Sequence, residues 1–554
     1  MRRPPMATDV PGDPTSRGPL LVRGCVSAAL AVAIALAGCS WLGSGGPYGP
    51  IGESAGTFPL TRQDPFPFVV ATPRPLSIGL ACSGGGSRAA YLTAAILREI
   101  QRAELTLPPA GKGDHPSDLL SQIDFVSAVS GGALSAAYFV AHRDELLARP
   151  QAQPWDEYLD RMRLNYRRRQ WYFQGLLNPL SWGRTLFTDF NRGNLAREDY
   201  DDHLYDGRTL GELPQRPVLY LNAFDVGNRV RFVFSRHFID TGYYQPKMWT
   251  NQLNAPQAIT SENDLVFARV DPGGVKIADA VYASSAFPFI YPNLAVHHFG
   301  NKIAFQGQRL FLADGGLSDN SGLLTLLTQM KIEIEQTPST NLALAIYIDA
   351  SIDAMGTGTK FQLQGIEETY ASRDTYLGQG RNSVDAAIDH HEDAVFQFLE
   401  SSGVIFDDLI PNYRLRLTVP PSGAPDPRTS WQDLMLSGQL RVRPLIIGLR
   451  LRHVHDAYYT IWARYKDRSD PGKARLLELF RQSGIPSGLE EGQETWPAET
   501  YRQLQRRISE IKTDFALDED AQHTLDLVAY LLVHGKLVPA LAEWQAAASS
   551  AAAR

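Results

Sequence analysis

The sequence predicts an α/β fold with a largely parallel central sheet, followed by a mainly helical C-terminal extension. Three observations predict it. Residues 76–100 and 123–142 each run from an apolar, strand-like stretch through a loop of small residues into a helical pattern. Repeated strand–loop–helix units build parallel sheets. Residues 342–348 are an unbroken apolar run, as in a strand covered on both faces. Past residue 355 strand-like runs become rare and helical spacing takes over.

The chain has 554 residues, 44% hydrophobic and 20% charged, with a formal net charge of −7. That is enough for one large domain or several smaller ones. The mild acidity, with no zinc-type cysteine pairs and no RNA-binding signature, points away from nucleic acid. At the start, Arg17 and Arg23 precede an apolar run at residues 26–36. The run is short for a membrane span but suits the core of a signal peptide. It ends in Leu36-Ala37-Gly38-Cys39, which resembles the cleavage box of bacterial lipoproteins. The resemblance implies that residues 1–39 are a signal peptide and that Cys39 carries lipid. Ser40 stands where an aspartate would signal inner-membrane retention, so the expected location is the bacterial cell envelope, on the outer membrane facing the periplasm. Lipid chains anchor by burying methylenes at about 0.8 kcal/mol each. Of the three cysteines, Cys25 lies in the removed segment and Cys82 is left alone, so no internal disulfide is expected.

Residues 40–75 are rich in Gly, Pro and Ser and read as a tether. A strand at 76–81 enters the loop Cys82-Ser-Gly-Gly-Gly-Ser-Arg88 and a helix. A second strand enters the turn around Ser130. Residues 217–235 read as a hairpin, with strands at 218–221 and 230–234 about a turn at Gly227-Asn228. In the extension a strand is expected at 413–419, and helices at 476–482, 501–515 and 523–544. The last places Leu525, Val528, Leu531 and Leu532 at helical spacing, so it packs on the core.

Two segments carry chemistry. Residues 123–132 place Ser130 at the tip of a strand-to-helix turn flanked by Ala128, Gly131 and Gly132. Such an elbow exposes the hydroxyl and sets it beside a helix N-terminus, where unpaired N–H groups favour negative charge. It needs small neighbours, because side chains would strike the strand and helix. Residues 312–316 place Asp314 between apolar residues and glycines, where the backbone can turn its carboxylate toward a hydroxyl. A serine needs such a base to become nucleophilic. Asp319 is a competing candidate in a less favourable setting. The run Gly84, Gly85, Gly86 offers consecutive backbone N–H groups for an oxyanion. A nucleotide-phosphate loop is the rival, but no Gly-Lys-Ser/Thr follows and Ala89 replaces the last glycine of Gly-x-Gly-x-x-Gly.

In order and rough spacing, Ser-Gly-Gly-Gly-Ser-Arg-Ala at 83–89, Val-Ser-Gly-Gly at 129–132 and Ala-Asp-Gly-Gly at 313–316 resemble the patatin-like phospholipases. So do residues 221–225, with their return strand at 232–235, and Ala-Ser-Ser-Ala-Phe-Pro-Phe at 283–289. The resemblance covers residues 76–350 and sets a catalytic domain at 76–355 and a helical extension at 356–554. It implies an α/β/α sandwich and a Ser–Asp dyad: Ser130 as nucleophile, Asp314 as base, Gly84 to Gly86 as the oxyanion loop. It departs from the family at Ser83, where many members have aspartate, and at Ala128 and Ala89. The Ser83 variant also resembles the cytosolic phospholipase A2 branch of this fold. None of the twelve histidines sits in a matching motif, including the pairs His297-His298 and His390-His391, and no metal or cofactor is implied. Arg88 is read as orienting the glycine loop, binding phosphate, or pairing with a carboxylate.

Between residues 155 and 190 lies a basic and aromatic stretch with Arg161, Arg163, Arg167, Arg168, Arg169 and Trp171. Trp155, Leu159, Met162 and Tyr166 share one helical face. It reads either as an interfacial lid, with arginines near phosphates, or as a helix packed on the core with solvated arginines. The expected function is a membrane-tethered serine lipid acyl hydrolase of phospholipase A or lysophospholipase type. Its expected partners are a phospholipid or other lipid ester and, through the lipid anchor, a membrane. The alternatives are a non-catalytic lipid-binding or envelope-interaction protein on this scaffold, and an acyltransferase using the same dyad. Ester position, headgroup and oligomeric state are not legible in the sequence.

Overall fold

The computed structural model describes residues 47–48, 76–107, 117–148, 153–170, 178, 191–227, 229–236, 239–241, 275–288, 290–296, 310–337, 342–351, 405–406, 445–465, 471–489, 497–511 and 516–552. The principal strands are β1 (Leu76–Cys82), β2 (Phe125–Val129), β3 (Val218–Asp225), β4 (Val230–Ser235), β5 (Ile239–Thr241), β6 (Leu294–Val296), β7 (Leu310–Asp314), β8 (Leu342–Asp349) and β9 (Leu445–Arg450). The principal helices are α1 (Gly86–Arg102), α2 (Ser130–Ala141), α3 (Gln153–Met162), α4 (Arg192–Tyr200), α5 (Ile277–Ser285), α6 (Leu323–Gln336), α7 (Val454–Tyr465), α8 (Pro471–Ser483), α9 (Ala498–Glu510), α10 (Glu519–Leu532) and α11 (Val538–Ala552).

One mixed sheet organises them, in the order β6–β7–β3–β2–β1–β8–β9, with β4 and β5 branching from β3. The run β3–β2–β1–β8–β9 is parallel throughout, and β4 and β7 join β3 antiparallel. Central parallel strands are covered on both faces, and β1 shows how. Toward one face Ser77 donates to Glu333 of α6 at 2.7 Å, and Gly79 lets α6 settle so close that a Cβ there would lie 2.7 Å from Leu326. Toward the other face point Ile78, Leu80 and Cys82, buried in the main core. Burial pushes the Cys82 thiol up to about 12, against a hydrogen bond with Thr93 of α1 that pulls the other way. This thiol is a core group, not a nucleophile. Helices thus cover the sheet on both sides, and the expected α/β/α sandwich is present. The hairpin expected at 217–235 is β3–β4.

The sheet does not end at residue 355. Strand β9 lies beside β8 with Leu344 opposite Leu445 and Asp349 opposite Arg450. At the end of that register Arg450 Nε donates to Asp349 Oδ2 at 2.9 Å, with both side chains buried. The six residues of β9, five of them uncharged and mostly apolar before Arg450, are too few to identify as strand or helix by periodicity, and their partner lies about a hundred residues away. The strand expected at 413–419 lies outside the described residues, as do most of residues 1–75. Within the expected tether, Pro47 and Tyr48 pair in parallel with Ala295 and Val296.

The C-terminal region is helical, as expected, and packs on α1. Leu525, Val528, Leu531 and Leu532 of α10 are all fully buried. The stretch Glu519–Gln545 is long and apolar enough to cross a membrane by length and composition, yet most of it is buried inside the fold, as in a core helix. Polar contacts align the packing. Arg98 donates to Asp526 at 2.9 Å, and buried Glu99 takes bonds from Arg475 at 2.9 Å and His534 at 2.8 Å.

Candidate active site

Ser130 is the first residue of α2, directly after β2. Its φ is +51°, the left-handed region that non-glycine residues adopt at a cost of about 1–3 kcal/mol. The turn is this tight because its neighbours have no side chains. A Cβ on Gly131 would lie 1.9 Å from the carbonyl oxygen of Gly86, and one on Gly132 would lie 2.4 Å from that of Ser83. Ala128 is fully buried, so a methyl is accommodated where the common motif has glycine.

Strand register brings Asp314 to Ser130. Val129 pairs with Asn222 of β3, and Asp314 pairs with the next residue, Ala223. Strand β4 occupies the opposite edge of β3 along Tyr220 to Asp225, so β2 and β7 share one edge. One is parallel to β3 and the other antiparallel, so their C-terminal ends converge there. Gly315 permits the approach: a Cβ on it would lie 2.2 Å from the Asn222 oxygen. The result is a 2.7 Å hydrogen bond from Ser130 Oγ to Asp314 Oδ2. Asp314 is buried, and its other oxygen accepts the Gly316 N–H at 2.8 Å. That bond fixes the plane of the carboxylate. The competing Asp319 is committed to its own turn. Its Oδ1 accepts from Ser321 Oγ at 2.6 Å and Gly322 N at 3.1 Å, and its Oδ2 from Leu324 N at 3.0 Å.

A buried polar layer lies beneath the elbow, and it carried no signal of function in the sequence. Asn222 donates to Ser127 Oγ and to the Ala128 carbonyl, both at 3.0 Å, and accepts from Thr325 Oγ1 at 2.5 Å. Ser127 Oγ donates to the Gly322 carbonyl at 2.7 Å. Ser284 Oγ accepts the Ser130 N–H at 3.0 Å. Asn222 and Ser284 lie inside the segments at 221–225 and 283–289, but nothing in one sequence assigns them a task.

The glycine loop arches over the serine. A Cβ on Gly84 would lie 3.3 Å from that of Ser130 and 2.1 Å from Asn320 Oδ1. The Gly84 N–H donates to the Asn320 carbonyl at 2.9 Å, so this member of the expected oxyanion loop is already engaged. Gly85 and Gly86, with φ of +138° and +60°, supply the turn into α1. Among the described residues neither N–H has an acceptor, and Gly86 opens a helix whose first amides have none within it. Ser83 Oγ donates to Gly84 O and accepts from Ala350 N, both at 3.0 Å, which ties the loop to the end of β8. Arg88 is buried and donates to the Ile511 carbonyl at 2.9 Å, so it reaches the C-terminal region.

The described part of the basic stretch, residues 155–170, packs inward. Trp155, Leu159, Met162 and Tyr166 are buried in the core, so the shared face is a packing face. Arg169 Nε donates to buried Asp199 at 3.2 Å, Arg161 pairs with Glu157 and Arg163 with Asp160. Arg168 is exposed. The Arg167 side chain, Trp171 and Cys39 lie outside the described residues, as do His297-His298 and His390-His391. The described histidines make contacts elsewhere: His142 and His203 with Leu204 and Asp199, His453 with Gly448, His455 with Asp456, His523 with Glu519 and His534 with Glu99. Among the described residues no group of three His, Cys, Asp or Glu side chains is placed to hold a metal ion.

Residues 80–327 match the family model described as patatin-like phospholipase. No curated protein matches the chain in sequence. Among solved structures, human GIVD cytosolic phospholipase A2, in complex with methyl gamma-linolenyl fluorophosphonate inhibitor and terbium chloride, aligns at 14% identity and a TM-score of 0.39, over 85% of this chain and 59% of that one. VipD from Legionella pneumophila aligns at 11% identity and a TM-score of 0.23, over 84% of this chain and 92% of that one. The chain therefore spans about three fifths of the length of the human enzyme's chain.

Proposed function

Because residues 80–327 form a patatin-like phospholipase domain, which supports lipid hydrolase activity, we propose that this protein is a serine lipid acyl hydrolase of phospholipase A or lysophospholipase type, tethered to a bacterial envelope membrane through Cys39. The observation that carries the reading is the 2.7 Å bond from Ser130 Oγ to Asp314 Oδ2, at the tip of a strained elbow packed against the glycine loop.

The chemistry follows from that geometry. Asp314 takes the Ser130 proton as Oγ attacks the ester carbonyl. The tetrahedral oxyanion forms toward the Gly85 and Gly86 amides and the α2 N-terminus, where each good donor is worth about 3 kcal/mol in the transition state. The intermediate collapses, Asp314 returns the proton to the leaving alcohol, and an acyl-enzyme remains. Water then attacks with Asp314 again accepting a proton, and the fatty acid leaves as Ser130 is restored. The Gly316 N–H on Oδ1 keeps the carboxylate oriented through both halves. Aspartate is a weaker base than histidine, so the short, preorganised bond matters more here than in a three-residue relay.

The test is fatty-acid release from phospholipid, lysophospholipid and short-chain ester by wild type and Ser130→Ala. The expected loss is about a thousandfold or more, and equal release by the two proteins sinks the assignment. The tether is tested separately by intact mass. Wild type should carry an N-terminal lipid that Cys39→Ala lacks, and an unlipidated wild type ends that part of the reading.

A further inference from the structure

We propose that Ser284 is a positioning residue for the reaction, holding the nucleophile and its base at bonding distance. The proposal rests on Ser130 as nucleophile and Asp314 as base.

Ser284 is fully buried near the end of α5 (Ile277–Ser285). Its Oγ accepts the Ser130 N–H at 3.0 Å and donates to the Asn222 carbonyl at 2.6 Å. Its own carbonyl accepts the Gly315 N–H at 3.1 Å, and two residues on Ala286 O accepts the Asp314 N–H at 3.0 Å. One short segment therefore grips both members of the pair, the serine through a side chain and the aspartate through backbone. The first amide of a helix has no acceptor inside that helix, so the Ser130 N–H depends on an outside group. A hydroxyl suits this place because it accepts from Ser130 while donating to Asn222, leaving no group in the bridge unpaired. Alanine offers neither bond. Without the acceptor the Ser130 backbone loses the bond that helps hold it at its left-handed φ. A displacement of about 1 Å at a reacting atom costs about a hundredfold in rate. Ser284 is fully buried and bonds only to the protein's own groups through its hydroxyl, so the effect falls on kcat and leaves KM nearly unchanged.

The experiment measures kcat and KM for p-nitrophenyl butyrate hydrolysis, with thermal midpoints, in the full chain carrying Ser284→Ala, Ser284→Thr, Ser285→Ala or Ser130→Ala. Ser285 is the control. It is buried in the same helix, but its Oγ donates to the Val281 carbonyl of that helix at 2.9 Å. The expected result for Ser284→Ala is a kcat lowered by about ten- to a hundredfold with KM within about threefold. Ser284→Thr should recover most of kcat, and Ser285→Ala should match wild type. A wild-type kcat in Ser284→Ala, a loss seen in KM instead, or an equal loss in Ser285→Ala overturns the proposal. Should Ser284→Ala fail to fold, Ser284→Thr decides: near-wild-type kcat supports the bridge, and a large loss at an unchanged thermal midpoint overturns it. Ser130→Ala separates the two claims. If it stays active, the nucleophile assignment falls and this proposal with it. If it is inactive beside a wild-type-like Ser284→Ala, this proposal alone falls.

Discussion

Ser130 keeps its left-handed backbone through what its neighbours lack. Gly131 and Gly132 sit where any Cβ would enter the carbonyls of Gly86 and Ser83, so the elbow and the glycine loop share one closely packed junction. Gly131→Ala therefore forces apart the turn that presents the hydroxyl and the loop that faces it. We expect it to lower stability by about 2 kcal/mol or more and to reduce activity at least as far as Ser284→Ala does. Thermal melts and ester hydrolysis read both. A variant that melts and hydrolyses like wild type contradicts this account of the junction. The same scale explains why the sequence spoke so clearly here. Small residues at 128, 131 and 132, and the glycines at 84–86 and 315–316, are requirements of local backbone geometry. Local requirements leave their mark on neighbouring letters.

At the scale of elements, α1 serves two neighbours. Its first residue, Gly86, closes the glycine loop, and farther along Arg98 and Glu99 join the C-terminal helices. Burial acts to raise the Glu99 carboxyl, but bonds from His534 and Arg475 outweigh it and hold the group below the usual carboxylate range. A carboxylate with a depressed pKa stabilises the fold above its unfolded value, about 4.3 for glutamate. That stability is lost as pH falls through the lower, folded value. Glu99→Gln should thus melt below wild type at pH 7, by about 1–2 kcal/mol, with the gap closing as pH drops below about 4. A gap that stays constant across that window would mean the charge on Glu99 is not what holds the helices together. Arg88 belongs to the same scale. Its bond to the Ile511 carbonyl makes the helix that carries the loop answer to residues more than four hundred positions away, which no reading of its own motif anticipates.

In the whole molecule the C-terminal region is structural to the mixed sheet that carries the patatin-like residues 80–327. Strand β9 covers the edge of β8, and α10 covers α1. Ending the chain after Ser351 exposes the β8 edge, the Asp349 carboxylate that Arg450 neutralises, and the apolar surface under Leu525, Val528 and Leu531. We expect that truncation to be insoluble or to lack a cooperative melting transition. A soluble, cooperatively melting and active 1–351 fragment would show the extension to be dispensable.

The sequence alone determined the local devices: the strand-loop-helix units, the serine elbow, the glycine loop, the aspartate between glycines, and the apolar stripe of the last long helix. Each follows from sterics or periodicity within a few residues, so it is written where it acts. Other matters were decided by partners remote in the chain. Asn222 and Ala223 place the ends of β2 and β7 together, Asn320 engages the Gly84 amide, and Ser284 bridges to Ser130. The same holds for the face of α3, which looked amphipathic enough for a membrane. It is buried because the protein's own core covers it, with Arg169 turned to Asp199. An apolar face states that it will be covered, and only the packed chain states by what.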